Sequence, residues 1–198
     1  MDSERTVISP DTLRPNRIPP GQHEVDSLPV LDLGQGRLVE TKDWSLDFCG
    51  LTAKPLKLDF DGFLKLPRVK VVADIHCVTT WSKLATTWEG VSARTLADIA
   101  RPDPKAAFVL LHSSDGYTTN LRLDDFLAED VLFAFKYEGQ PLPHRFGGPV
   151  RLVVPRLYFW KSAKWAAKVE FLEKDVKGYW EQRGYHHRGD PWKEERYS

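Results

Sequence analysis

A chain of 198 residues, 41% hydrophobic and 28% charged, carries enough apolar content for one globular domain. Its 28 Lys and Arg balance 28 Asp and Glu, so it lacks the basic excess of a nucleic-acid binder, and no apolar run is long enough to span a bilayer. Seven tryptophans at this length point to broad flat side chains in the core or along a ligand cleft.

Residues 1–30 contain Pro10, Pro15, Pro19, Pro20 and Pro29 and are expected to be extended and irregular, wrapped over the domain. The opening Met1-Asp2-Ser3-Glu4-Arg5 has no apolar export-type core, so the expected location is the cytoplasm, with Cys49 and Cys77 both reduced. At 44–48 Trp44, Leu46 and Phe48 alternate with Ser45 and Asp47, the pattern of a half-buried strand, and 56–60 repeats it. Asp61-Gly62 reads as a turn leading into a short helical piece that ends near Pro67.

The most regular strand is 69–77, with Val69, Val71, Ala73, Ile75 and Cys77 on one face and Lys70, Val72, Asp74 and His76 on the other. Ser92 is placed to cap a helix that runs through Leu96 and Ile99 until Pro102 stops it. A buried strand at 108–112 runs into the turn Ser113-Ser114-Asp115-Gly116, and Asp124 is expected to cap another short helix. Strands follow at 131–137 and 150–154, the second launched by Gly147-Gly148-Pro149. Strands and short helices mix without a β-α-β rhythm, so the expected fold is α+β with mixed, largely antiparallel sheets. Residues 1–198 are read as a single domain, with 178–198 as an aromatic and charged tail that either covers it, the preferred reading, or docks a partner.

Cys77 ends an apolar strand face just before Thr79-Thr80-Trp81-Ser82-Lys83. On the residues alone it is either a packed core cysteine or a thiolate held at the mouth of a cleft. His76 is poorly placed as its base, because adjacent strand residues face opposite ways. With one other thiol and no Cys-His spacing, a structural zinc site is not expected. Arg151 interrupts the apolar run 150–154 and either reaches solvent or meets an anion. Lys161-Ser162-Ala163-Lys164-Trp165 gathers two cations, a hydroxyl and consecutive amides, a set that suits a phosphate or simply a solvated turn. No glycine-rich nucleotide loop is present.

Taken together, these segments resemble the molybdopterin-binding domain of the sulfite oxidase family, in its bacterial stand-alone branch. The resemblance rests on Ile75-His76-Cys77-Val78-Thr79-Thr80-Trp81-Ser82 and on four blocks in order after it. These are Ser114-Asp115-Gly116-Tyr117-Thr118, Gly139-Gln140-Pro141-Leu142-Pro143, Gly148-Pro149-Val150-Arg151-Leu152-Val153-Val154-Pro155 and Lys161-Ser162-Ala163-Lys164-Trp165. It implies a molybdenum–molybdopterin cofactor, with Cys77 giving the metal its one protein sulfur beside two dithiolene sulfurs. It further implies that Arg151 and Lys164 offset the cofactor's phosphate or pterin oxygens, while Ser162 and the Ala163 backbone add hydrogen bonds. Asp115 would accept from pterin N–H groups, and His112, close by, would either contribute to the site or pack in the core.

The resemblance departs from sulfite oxidases proper at two places. The stretch Val25-Asp26-Ser27-Leu28-Pro29-Val30 lacks the substrate arginine of that family's Arg-Asn-His segment, and Phe146 stands where a pterin-contacting histidine is found. The activity the resemblance implies is two-electron oxygen-atom transfer on a small molecule, with sulfur compounds as the class suggested by the family, and with methionine sulfoxide reduction as the alternative. A non-catalytic pterin-binding or partner-binding module is the alternative of another class, and metal content separates it from an enzyme. Within 198 residues there is no room for the haem and dimerisation domains of the long eukaryotic enzymes, so a separate electron-transfer protein of haem or flavin type is expected. His23, His76, His112, Trp81 and Trp160 are candidates for the cleft wall.

Overall fold

A computed structural model describes residues 5–34 and 38–198, so the first four residues of the expected lead-in lie outside the described residues. In chain order the first strands are β1 (Arg5–Ile8), β2 (His23–Glu24), β3 (Ser45–Gly50), β4 (Leu56–Asp59), β5 (Val69–His76) and β6 (Trp81–Ser92). They are followed by β7 (Phe108–Ser113), β8 (Thr118–Arg122), β9 (Leu132–Tyr137), β10 (Gln140–Pro141), β11 (Arg151–Val153) and β12 (Ala166–Leu172). The α-helices are short: α1 (Phe60–Leu64), α2 (Ala93–Ala100) and α3 (Leu123–Phe126).

One sheet runs β1-β5-β6-β9-β10, with β11 also on β9 and β2 on β6; the other runs β4-β3-β12-β7-β8. The pairs β1/β5, β2/β6 and β3/β12 are parallel and the rest antiparallel, so the fold is the expected mixed α+β arrangement. Among the described residues no helix is long and apolar enough to cross a membrane.

Strand β9 explains how the sheets stack. Phe133 and Phe135 join a core with Phe48, Val109, Leu111 and Phe171 of the second sheet, while Leu132 and Ala134 join one with Val71, Ile75 and Trp88. A strand buried on both faces reads as a continuous apolar run, which is how 131–135 looks in the sequence.

Several local expectations are corrected. Asp61-Gly62 lies inside α1 rather than in a turn, because the Asp59 carboxylate accepts from the Gly62 N–H at 2.7 Å and caps the helix first. Asp124 lies within α3 and does not cap it; its carboxylate takes the Arg122 guanidinium instead. The Pro-rich lead-in is not irregular throughout, since β1 adds a parallel strand to β5 and buried Ser9 donates to Asp130 at 2.7 Å. The long strand β6 went unread in the sequence. Trp81 and Trp88 are seven apart, an odd spacing that puts them on opposite faces of an unbroken strand. Ala85, at φ 55°, sits where β6 holds one residue more than β5 opposite it, and this bulge turns both indoles into the same core. The Asp74 carboxylate pins the bulge by accepting from the Ala85 N–H at 2.8 Å.

Candidate functional site

The chain turns back on itself between β5 and β6, and Cys77 occupies the first position of that turn. Its N–H donates to the Trp81 carbonyl at 2.9 Å and its carbonyl accepts from Thr80 at 3.0 Å. The thiol is 6% exposed, and its sulfur opens on a cleft of about 180 Å³, room for far more than one water. Burial raises the Cys77 pKa, opposed by a hydrogen bond from the Thr79 hydroxyl, whose oxygen lies 3.2 Å from the sulfur.

Opposite stands Arg151 at the start of β11, 1% exposed. It donates to the Phe146, Ser162 and Leu152 carbonyls and its guanidinium lies 4.3 Å from the Phe159 ring centroid. Among the described residues no carboxylate pairs with it, and burial lowers its pKa to about 9. An anion in the cleft would complete this site.

The block before β12 divides. Lys164 lines the cleft, with Nζ 3.3 Å from the Asp32 carboxylate of the lead-in and over the Trp165 ring. Burial lowers its pKa, with a further push from Arg151, against which Asp32 pulls upward. Gly147, at φ 101°, packs so close over Lys164 that a Cβ would meet its Cα at 2.8 Å. Ser162 and Ala163 also line the cleft, and Ser162 Oγ accepts from the Val154 N–H at 2.8 Å. Lys161 belongs elsewhere: fully buried, it pairs with Glu181 at 2.7 Å and donates to Asn120 and His187. Of the two cations in this block, Lys164 lines the cleft and Lys161 does not.

Asp115 lies on the cleft rim, exposed, with Oδ1 accepting from the Tyr117 N–H at 3.0 Å. His112 is not brought in. It points off the second sheet to Glu170, 3.1 Å away, because its strand neighbour Ser113 takes the cleft-facing register. Trp81 and Trp160 line the cleft as expected of wall residues, whereas His76 is buried behind it, its Nδ1 2.8 Å from Ser82 Oγ. Burial holds the His76 pKa down at about 4, so the ring is neutral near pH 7. His23 is exposed on β2.

Sequence reasoning missed Asp32, Thr79, Tyr117, Phe159 and the tail residues Trp180 and Tyr185, all on the cleft. The aromatic density of 178–198 was the one signal for the last two, and the tail does cover the domain: Glu181 is 1% exposed and Tyr179 N donates to the Thr118 carbonyl at 2.9 Å.

Residues 34–180 match the model of the oxidoreductase molybdopterin-binding domain. The chain is 46% identical over 184 residues to the uncharacterized oxidoreductase YuiH of Bacillus subtilis, covering 92% of each. It is 31% identical over 191 residues to the protein-methionine-sulfoxide reductase catalytic subunit MsrP of Campylobacter jejuni, spanning 63% of that protein. The sulfane dehydrogenase SoxCD of Paracoccus pantotrophus shares the fold, with a TM-score of 0.65 at 23% identity over 70% of this chain and 40% of that one.

Proposed function

Since the chain belongs to the oxidoreductase molybdopterin-binding domain family, and is thereby a molybdopterin-dependent enzyme of the sulfite oxidase type, we propose that Cys77 holds the molybdenum and that the reaction is two-electron oxygen-atom transfer on a small sulfur-containing substrate. One observation carries this reading: the Cys77 thiol and a buried arginine without a carboxylate partner among the described residues face the same cleft.

The residues present fit the cofactor. Ser113 Oγ and Trp81 Nε1 are buried on the cleft and lack a hydrogen-bond partner, a cost that a polar ligand removes. A thiolate is a soft ligand, suited to a metal that changes oxidation state. Arg151 and Lys164 offset negative charge on the cofactor, and the Ser162 hydroxyl, already accepting from Val154, keeps its own proton to donate. The Ala163 backbone and the Asp115 carboxylate take the remaining places on that wall. When bound there, the cofactor supplies the two-electron chemistry, and the chain holds it, orients it and keeps water away. Trp81, Phe159, Trp160, Trp165, Trp180 and Tyr185 do the last of these by lining the cleft with rings.

The same rings favour a second reading, reduction of methionine sulfoxide, because the thioether of the methionine product makes favourable contacts with aromatic rings. A substrate panel with artificial electron donors and acceptors separates the two. We further propose a single domain over 1–198, a cytoplasmic location and a separate electron-transfer protein as partner.

The test is metal and pterin analysis of protein made in a host able to synthesise molybdopterin, beside Cys77→Ser. Near-stoichiometric molybdenum with an altered metal spectrum in the variant is expected. A fully metallated, active Cys77→Ser protein would overturn the assignment.

A further inference from the structure

On the reading that Cys77 holds the metal, we propose that the Thr79 hydroxyl sets the electron density of the Cys77 sulfur, and so the reduction potential of the centre, from a turn that Gln22 and Arg196 lock in place. Both are positioning residues, reaching the metal site only through the turn.

Thr79 follows Cys77 by two residues and points its Oγ1 back to the sulfur at 3.2 Å. A hydrogen bond to a metal-bound thiolate withdraws charge from it and favours the more electron-rich, reduced metal. The effect depends on a fixed donor direction, because a hydroxyl that rotates away donates nothing. Here the backbone beneath it has no freedom to let go. Thr80 sits at φ 74°, a conformation that β-branched residues adopt only when their surroundings impose it.

The surroundings are the two ends of the described chain. Gln22 Nε2 donates to the Cys77 carbonyl at 3.1 Å, and His23 N–H donates to the Thr80 carbonyl at 2.9 Å. From the tail, Arg196 Nη1 donates to the Val78 carbonyl at 2.6 Å, while the Thr80 hydroxyl takes the Thr79 carbonyl at 2.6 Å. Every carbonyl from 77 to 80 is thus engaged. The clamps also fit each other: a Cβ on Gly21 would lie 2.9 Å from the Glu194 carboxylate and 3.2 Å from the Arg196 guanidinium. Thr79 itself is exposed on the cleft rather than built into a core, so a donor there has no packing duty to explain it.

The experiment is an EPR-monitored redox titration of the metallated protein, comparing wild type with Thr79→Val, Thr79→Ser, Arg196→Ala and Cys77→Ser. Thr79→Val keeps shape and loses the hydroxyl; its potential is expected to move negative and its EPR spectrum to change. Thr79→Ser is expected to return both to wild type. Arg196→Ala is expected to spread the EPR spectrum over several turn conformations. Because EPR and the titration read only the metallated fraction, poor loading of a variant does not obscure the comparison. A wild-type potential in Thr79→Val overturns the inference while an altered Cys77→Ser spectrum leaves the ligand assignment standing. A wild-type spectrum in Cys77→Ser overturns both.

Discussion

Lys161 and Lys164 stand three residues apart and serve opposite ends. The first is sealed against Glu181 with no exposed side-chain surface, and the second keeps 13% of its side chain open on the cleft beside Asp32. In the sequence they look alike, since charge and spacing do not say which lysine has a carboxylate waiting from a distant segment. Lys164→Ala should therefore weaken cofactor retention by about 1–3 kcal/mol, the scale of a lost charged hydrogen bond. Pterin released during dialysis measures this, and wild-type retention would remove Lys164 from the anion site. Cys77 was legible because five alternating apolar positions end on it, whereas Arg151 was ambiguous until its carbonyl-only coordination was visible. His112 misled because it lies one residue from the cleft, and one residue in a strand is a change of face.

Elements with a clean period were legible: β3, β5 and α2 with its Ser92 cap lie where the sequence puts them, to within a residue or two. Strand β6 was not, because its bulge breaks the alternation that sequence reading depends on. The same strand has a second irregularity at Gly90, where the register with β9 shifts. A methyl group there would come 2.0 Å from the Phe133 carbonyl oxygen, in backbone that cannot swing aside. Gly90→Ala should destabilise the protein by about 3 kcal/mol through overpacking. Chemical denaturation reads the change directly, and an unchanged midpoint would mean that the two strands part more easily than their pairing implies.

At the scale of the molecule, the site is assembled from segments that sequence order keeps far apart: the lead-in, the β5–β6 turn, the start of β11 and the tail. Sequence reading found the blocks but not their meeting, because contacts between distant segments leave no periodic trace. The tail is fastened by the buried Lys161–Glu181 pair and by Trp160 Nε1, which donates to Glu181 at 2.8 Å. Glu181→Ala strands a buried ammonium and should cost about 3–5 kcal/mol. Thermal unfolding of the variant checks this, and a loss below about 1 kcal/mol would show that the oxygens of Asn120 and His187 satisfy Lys161 unaided.

The clamp from Arg196 acts on a carbonyl 118 residues earlier in the chain. During synthesis the cysteine turn therefore emerges together with the clamps from Gln22 and His23 but long before Arg196, so the turn gains its last described fastening well after its first.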